Sequence, residues 1–346
     1  MTAPDDAPNL GGGIEDGRSQ TWSGLTGHIY RACEVLDLRL SLFDPFGRTG
    51  LIHYPTGYRA AFKGTSFDIN PMGAAQIARD KDYSARALRQ AGLPTVPGRV
   101  LLAPRLINKL VQSGAMGCDQ GQRFADISGA VASVGLPAAV KPLTGMEGDG
   151  VAQVSTRLEA AKAADGLFVR YDRILVQPWL AGRDIRVVVL DGEVLFACER
   201  VRPHVIGDGR RSIEALGTGG TTLDAGASRA HLARCGLNRC DVPKAGERVD
   251  LVPTANLSTG GSLIDLTDQL PVGTQALAVA ATQALGLRFA GVDLIDPGAS
   301  QPGLSVLEVN AAPGLAHAAA TIGRDRVDTL YRQVIAAMGR GTHAPQ

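Results

Sequence analysis

The sequence predicts a mixed α/β protein built largely on antiparallel sheet, and three observations carry that expectation. Asp191-Gly192 separates two alternating apolar runs, DIRVVVL and EVLFACERV, which is the pattern of a hairpin closed by a tight two-residue turn. Two further strand-like runs, RFAGVDLI and LSVLEVN, follow a helical apolar stretch at 274–285, so helices and strands share one region. Apolar residues make up 45% and charged residues 20% of 346 positions, ordinary usage for a folded chain with a sizeable core and room for two or three domains.

The elements follow in chain order. Residues 1–20 combine Pro, Gly and Asp with little to bury and read as a mobile tail, with folding starting near Thr26. GAAQIARDKDYSARALRQAG, residues 73–92, spaces Ala75, Ile77, Ala78, Ala85 and Leu88 along one helix that stops at Gly92 before Pro94. TVPGRVLL reads as a strand, 124–134 as a second helix, and LPAAVKPL as a short buried strand that runs into the Gly-rich loop TGMEGDGV. VAQVS and RILVQPWL are strands that lead to the hairpin. Residues 206–260 are rich in Gly, Thr and Ser and read as an insertion with one helical patch at 231–237. The last amphipathic helix is expected over 325–338.

Charge and cysteine usage exclude several function classes. Lys plus Arg, 35, against Asp plus Glu, 34, leaves a net charge of +1, without the electrostatic footprint of a nucleic-acid or anionic-membrane binder. Five scattered cysteines with no C-x-x-C spacing indicate neither a disulfide framework nor a zinc site and suit a reducing compartment. The first twenty residues lack the apolar core of a signal peptide, and no run reaches the roughly 18 to 20 apolar residues of a membrane span. A soluble, cytoplasmic protein is expected.

Asp293 in AGVDLI and Glu308 and Asn310 in VLEVNAAPG interrupt two predicted neighbouring strands. Glu308 and Asn310, two apart, share a face, and Asp293 joins them if the strands pair. Two carboxylates and an amide oxygen form a hard, all-oxygen set that suits Mg²⁺ rather than Zn²⁺. The alternative is a row of solvated acids on a half-buried strand, although unpaired charge within apolar strands is costly.

Lys141 ends the apolar run LPAAV beside the Gly-rich loop, where Gly145, Gly148 and Gly150 would let backbone N–H groups approach an anion. The loop matches neither common phosphate-binding glycine motif, and a flexible hairpin with a snorkelling Lys is the other reading. Lys81, by itself, is a solvated helix residue. VQPWLAGRDIRVVV adds Gln177, Trp179 and Leu180 in a hinge that can meet a purine, then Asp184 within reach of ribose hydroxyls. Asp184 shares a strand face with Arg186, and the two can equally be members of a cross-strand ion pair. His204 and His317 are read as structural or substrate-pocket residues, and Cys198 as a small core hydrophobe.

Taken in order, DK at 80–81, AVKP at 139–142 with its Gly loop, VQPWLAGRDIRV, AGVDLI and LEVNAAPG resemble the ATP-grasp superfamily of carboxylate–amine ligases. CERVRPHVIGDGRRSIEAL and PKAGERVDLVPTANLSTGGSLIDLTD look like the ATP-grasp module of cyanophycin synthetases and bifunctional glutathione synthetases. The resemblance covers about residues 60–320. It implies two lobes with antiparallel sheets gripping ATP, over 73–340 with an insertion at about 203–262, preceded by an abbreviated N-terminal lobe at 21–72.

By the same resemblance Lys81 and Lys141 contact the nucleotide phosphates under the loop 145–150, Gln177 and Leu180 hold adenine, and Asp184 holds the ribose. Asp293, Glu308 and Asn310 bind one or two Mg²⁺ ions, replaceable by Mn²⁺. Arg186 and Arg200 stabilise the transferring phosphate or acyl phosphate, and Asn256 faces that intermediate with Gly260 and Gly261 giving close backbone approach.

The sequence departs from the family in its loop, where Glu147 and Asp149 replace a usual His and Arg, and before ANLSTGG, where Val252, Pro253 and Thr254 replace a usual basic residue. The long N-terminal domain and the second ATP domain of cyanophycin synthetases do not fit in 346 residues, so a stand-alone ligase for amino acids or small peptides is expected rather than a polymerase. A homodimer is expected from the superfamily, with the substrate pocket completed by the insertion or the second subunit. Two other activities share this nucleotide site: a kinase for a small molecule, and a nucleotide-binding regulator with a degenerate site.

Overall fold

The structure is a computed structural model that describes residues 24–145, 150–217, 225–255, 260–298 and 303–341. Its first sheet is an antiparallel meander of β1 (Arg39–Leu42), β2 (Thr49–His53), β3 (Arg59–Lys63) and β4 (Ser66–Phe67). Alternation sets its two sides, since Ala60 and Phe62 of β3 point inward while Arg59, Ala61 and Lys63 are exposed. The inner side packs with helices Gly24–Val35 and Arg324–Gly339 against the end of another sheet, which supplies Leu190, Phe196 and Phe289 to the same core.

The second sheet contains β5 (Arg99–Leu102), β6 (Ala138–Pro142), β7 (Ala152–Val154) and β8 (Arg173–Pro178) in the order β5-β8-β6-β7, with every pair antiparallel. Helices Ile127–Val134 and Arg157–Phe168 cover one side, where Val131, Ala160, Ala164 and Leu167 meet Leu101, Val140, Ile174 and Val176. All five residues of β6 are buried, which explains why its sequence is a continuous apolar run rather than an alternating one.

The third sheet has five strands, in the order β13-β10-β9-β14-β15: β9 (Arg183–Leu190), β10 (Glu193–Val201), β13 (Ser262–Asp265), β14 (Phe289–Asp296) and β15 (Ser305–Asn310). Asp191 and Gly192 close β9 onto β10 with φ of 49° and 85°, the left-handed pair that a two-residue hairpin turn requires. Ile185, Val187, Val189, Val292 and Leu294 face helix Val272–Ala284 on one side. The other side is divided, with Leu190 and Phe289 under the first sheet and Asp184, Arg186, Arg200 and Asp293 in a cavity. Between β10 and β13, strands β11 (His204–Ile206) and β12 (Arg248–Asp250) build a small unit around Val205, Ile213, Leu232, Val249 and Leu251.

Two of the expected helices are interrupted. The stretch 73–92 forms helices Met72–Arg79 and Lys81–Gln90, broken at Asp80, whose backbone is extended and whose carboxylate accepts from the N–H groups of Asp82 and Tyr83. Asp126 likewise separates Cys118–Ala125 from Ile127–Val134 and caps the second through the N–H of Gly129. In both cases a side-chain oxygen replaces the missing helical acceptor, so each break starts a new helix. The first break puts Lys81 at the opening of a helix, with its N–H bonded to Leu143 O just beyond β6, at 3.1 Å.

Candidate active site

A cavity of about 560 Å³ lies between the second and third sheets. It is lined by Lys81, Lys141, Gly145, Gln177, Trp179, Leu180, Asp184, Arg186, Arg200, Asp293, Glu308 and Asn310, so most of the residues singled out in the sequence meet around one space. Register explains the meeting. Arg186 of β9 lies opposite Asp293 of β14, which lies opposite Glu308 of β15, while Asp184 lies opposite Arg200 of β10. One row of the sheet therefore reads Arg, Asp, Glu, with an Asp–Arg row beside it.

The charges of this sheet neutralise one another. Arg186 binds both carboxylate oxygens of Asp293, through its Nε and, at 2.8 Å, through an Nη. Arg200 donates to Asp184 Oδ1 at 2.6 and 3.0 Å and reaches Asp293 Oδ2 at 3.1 Å. Burial works against the charge on Asp293, but Arg186 and Arg200 outweigh it and hold the carboxyl below its usual range. Burial pushes the Asp184 carboxyl up, with the charge of Asp293 adding to it and Arg200 opposing. Both members of the Asp184/Arg186 pairing considered above thus belong to cross-strand ion pairs, but with Arg200 and Asp293 rather than with each other. Gly291 makes room for this: a Cβ there would stand 2.9 Å from Pro313 Cβ and 3.3 Å from the Arg186 side chain, which lies across β14.

The second sheet behaves differently. Lys81 reaches across to Glu308 Oε1 at 3.0 Å and to Gly145 O at 3.4 Å. Lys141 is buried and has no hydrogen bond or ion pair to any described residue. Burial pulls its ammonium down to about 8, against the attraction of Glu308 and Asp293 and helped by the repulsion of Lys81. Gln177 donates from Nε2 to Val96 O at 3.1 Å, which fixes the amide orientation and leaves its Oε1 buried without a partner among the described residues.

The remaining sequence-derived candidates stand apart. Gly150, Gly260 and Gly261 do not line the cavity; the first two have φ of 72° and 90° and serve as turn residues. Gly148 and Asn256, together with Glu147 and Asp149, lie outside the described residues. The structure adds residues that the sequence did not single out for this site, since Thr65, Arg202 and Leu263 line the cavity; Thr254 and His317, both noted in the sequence, line it too, while His204 does not. Arg202 lies just beyond the end of β10 at Val201, where strand alternation gives no signal.

Residues 253–334 match the model of the RimK-like ATP-grasp domain. The chain is 34% identical over 275 residues to a cyanophycin synthetase of Trichormus variabilis, an alignment covering 73% of this chain and 28% of that protein. It is 30% identical over 234 residues to the glutathione biosynthesis bifunctional protein GshAB of Pasteurella multocida, covering 59% and 31%. The crystal structure of a bifunctional glutathione synthetase from Pasteurella multocida superposes with a TM-score of 0.53 at 21% identity, over 89% of this chain and 43% of that one. The chain belongs to the ATP-grasp superfamily.

This ATP-grasp chain spans 28% and 31% of the length of these two curated relatives. ATP-grasp ligases use ATP and Mg²⁺. Asp293, Glu308 and the amide oxygen of Asn310 are the oxygen donors lining the cavity, with both oxygens of Asp293 bound by Arg186, and Lys141, a buried ammonium without an acceptor among the described residues, lines the same cavity. Among the described residues no helix is long and apolar enough to cross a membrane.

Proposed function

We propose that this ATP-grasp chain is an ADP-forming carboxylate–amine ligase that joins an amino acid or small peptide carboxylate to an amine through an acyl phosphate. The observation that carries the reading is Lys141, a buried cation with no partner among the described residues, in the same cavity as two carboxylates and an amide. A buried ammonium without a counter-ion is costly until an anion meets it. The phosphates of ATP would supply that anion.

In this reading Gln177 Oε1 accepts from the amino group of adenine, the donor that its buried lone pairs lack, while Trp179 and Leu180 pack near the base. Asp184 meets the ribose. Lys81 and Lys141 meet the phosphates beside Gly145, which lines the same cavity, while the part given to Gly148 and Gly150 rests on the sequence resemblance alone. Asp293, Glu308 and Asn310 would hold one or two Mg²⁺ ions, or Mn²⁺, whose charge would offset that of the phosphate oxygens. Arg186 and Arg200 stabilise negative charge on the transferring group, and need no proton transfer to do so. The roles of Asn256, Gly260 and Gly261 toward the acyl phosphate rest on the sequence resemblance alone. Small-molecule substrates and a homodimer belong to the same proposal. Little covalent chemistry falls to side chains, so positioning and charge neutralisation supply the rate.

The test is ADP release from ATP and Mg²⁺ with amino acids and dipeptides, singly and in pairs, followed by product mass. A product one water lighter than the sum of two components establishes the ligase. A phosphorylated single component contradicts it.

A further inference from the structure

The two strands that carry Asp293, Glu308 and Asn310 stop pairing immediately beyond Asn310. β14 and β15 pair from Ile295 with Ser305 to Gly291 with Asn310, and the same register would next set Ala290 against Ala311 and Phe289 against Ala312. That continuation does not form, and β15 ends at Asn310. Phe289 is fully buried, so its N–H and C=O need partners within the protein. One side chain supplies both. Asn70 accepts from Phe289 N at 3.0 Å and donates to Phe289 O at 2.7 Å, and the same amide accepts from Arg288 N at 2.8 Å and donates to Ala311 O at 2.9 Å. An Asn side chain has the donor and acceptor of a peptide unit, so Asn70 stands where the next residues of β15 would have paired.

With its place in the ladder taken, the chain after Asn310 leaves the sheet. Pro313, which has no N–H to offer a ladder, crosses over Gly291, where a Cβ would stand 2.9 Å from Pro313 Cβ. Ala312, Pro313, Gly314 and Leu315 then line the cavity. A second side chain secures this turn, since the Thr65 hydroxyl donates to Ala312 O at 3.0 Å. The carbonyls of both residues that follow Asn310 are thus held from within residues 24–70, a segment that contributes none of the charged side chains lining the cavity among the described residues.

We propose that Asn70 is a positioning residue for Asn310: by closing the end of the β14–β15 ladder it fixes the strand end from which the Asn310 amide reaches the cavity, on the same strand face as Glu308. Its effect on a metal ion rests on the ligase reading; its hold on the chain after Asn310 does not. Loss of a group that orients a ligand residue, with the ligand itself intact, weakens metal binding by about 10- to 100-fold in metalloproteins generally.

The experiment compares Asn70→Ala, Asn70→Asp and Tyr54→Phe in the full chain. Tyr54 donates to Ile335 O at 2.6 Å, so Tyr54→Phe is the control for a hydrogen bond lost by the same N-terminal segment away from the strand ends. Hydrogen exchange read by mass spectrometry over residues 305–318 of the free protein follows the strand end, apart from the two N–H groups of Arg288 and Phe289 that lose their acceptor directly. The paramagnetic resonance signal of Mn²⁺ with a non-hydrolysable ATP analogue reads metal affinity without turnover. Asn70→Ala is expected to speed exchange over 305–318 and to weaken Mn²⁺ binding about tenfold or more, and Tyr54→Phe to do neither. Asn70→Asp keeps the acceptor for Arg288 and Phe289 and loses the donors to Phe289 O and Ala311 O; it is expected to show both changes and decides the matter if Asn70→Ala does not fold. Faster exchange in the Asn70 variants with no Mn²⁺ bound by the wild type would support the hold of Asn70 on the strand end and count against the metal site of the ligase reading. Exchange that is unchanged, that rises equally in Tyr54→Phe, or that rises while Mn²⁺ affinity stays within about twofold of wild type would overturn the proposal and leave the ligase reading standing.

Discussion

The two sheets that enclose the cavity handle charge in opposite ways. In the five-stranded sheet, Asp184, Arg186, Arg200 and Asp293 form a closed set in which every charge meets its opposite on a neighbouring strand. In the four-stranded sheet, Lys141 is buried with no partner among the described residues, and its ammonium is pulled toward neutrality. The difference teaches which half has been built around itself and which around a ligand. A neutralised network holds its geometry without help, whereas an isolated buried cation is a standing cost that binding relieves.

The largest effect that would sharpen this contrast is expected from Glu308→Gln, which removes one charge at similar volume and also loosens Lys81. ADP formation at saturating Mg²⁺ should fall by about 100-fold or more with the circular dichroism spectrum and Tm retained. Activity within a few-fold of wild type would break the assignment of Glu308 to the site.

A smaller loss is expected from Gly291→Ala, because the added methyl would press on Pro313 and the Arg186 side chain. Displacing the guanidinium from Asp293 should lower kcat by about tenfold, with KM for ATP little changed, since Arg186 acts on the transferring group rather than on nucleotide binding. An increase confined to KM would place Arg186 elsewhere in the reaction.

Titration gives a third comparison, and its sign differs between binding and folding. Lys141 sits at about 8 in the folded protein against an ordinary 10.5, so the unfolded chain holds this proton more tightly between those values. From this group alone, the free protein gains stability as pH rises from 8 toward 10.5. ATP affinity should fall over the same interval, with proton uptake on binding, because the anion needs the ammonium charged. Calorimetry in two buffers of different ionisation enthalpy would show the uptake; affinity flat across that interval would contradict it.

The smallest effect is expected at the rim. Arg183 pairs with Glu199 at 2.8 Å but is about half exposed, and Arg183→Ala should change stability by less than about 1 kcal/mol. A larger loss in denaturant titration would mean that the rim is coupled to the network below it.

Much of this site was legible in the sequence because acids and lysines interrupting apolar strands are conspicuous. Asp293, Glu308 and Lys141 announced themselves in that way, and Asp191-Gly192 announced the hairpin that aligns β9 with β10. Their partners were not legible. That Arg186 meets Asp293 and Arg200 meets Asp184 depends on the registers of three strands, and a shift of one residue would separate them. The helix break at Asp80 was hidden because the apolar spacing runs on across it, while the capping bonds that stop one helix and start another come from a single carboxylate. The sharing of one core by residues 24–70 and the distant strands β9, β10 and β14 is a tertiary fact with no local signature.

The most direct test of the account is a paired measurement on Lys141→Met: Tm without nucleotide and ATP affinity by calorimetry, both at pH 7. Replacing a buried ammonium that has no partner among the described residues by an apolar side chain should raise stability by about 2 kcal/mol. The same change should weaken ATP binding by about 100-fold, since the cation that meets the phosphates is gone. A variant that binds ATP as tightly as wild type, or that loses stability while keeping its affinity, would contradict the claim that this half of the molecule is built around an anion.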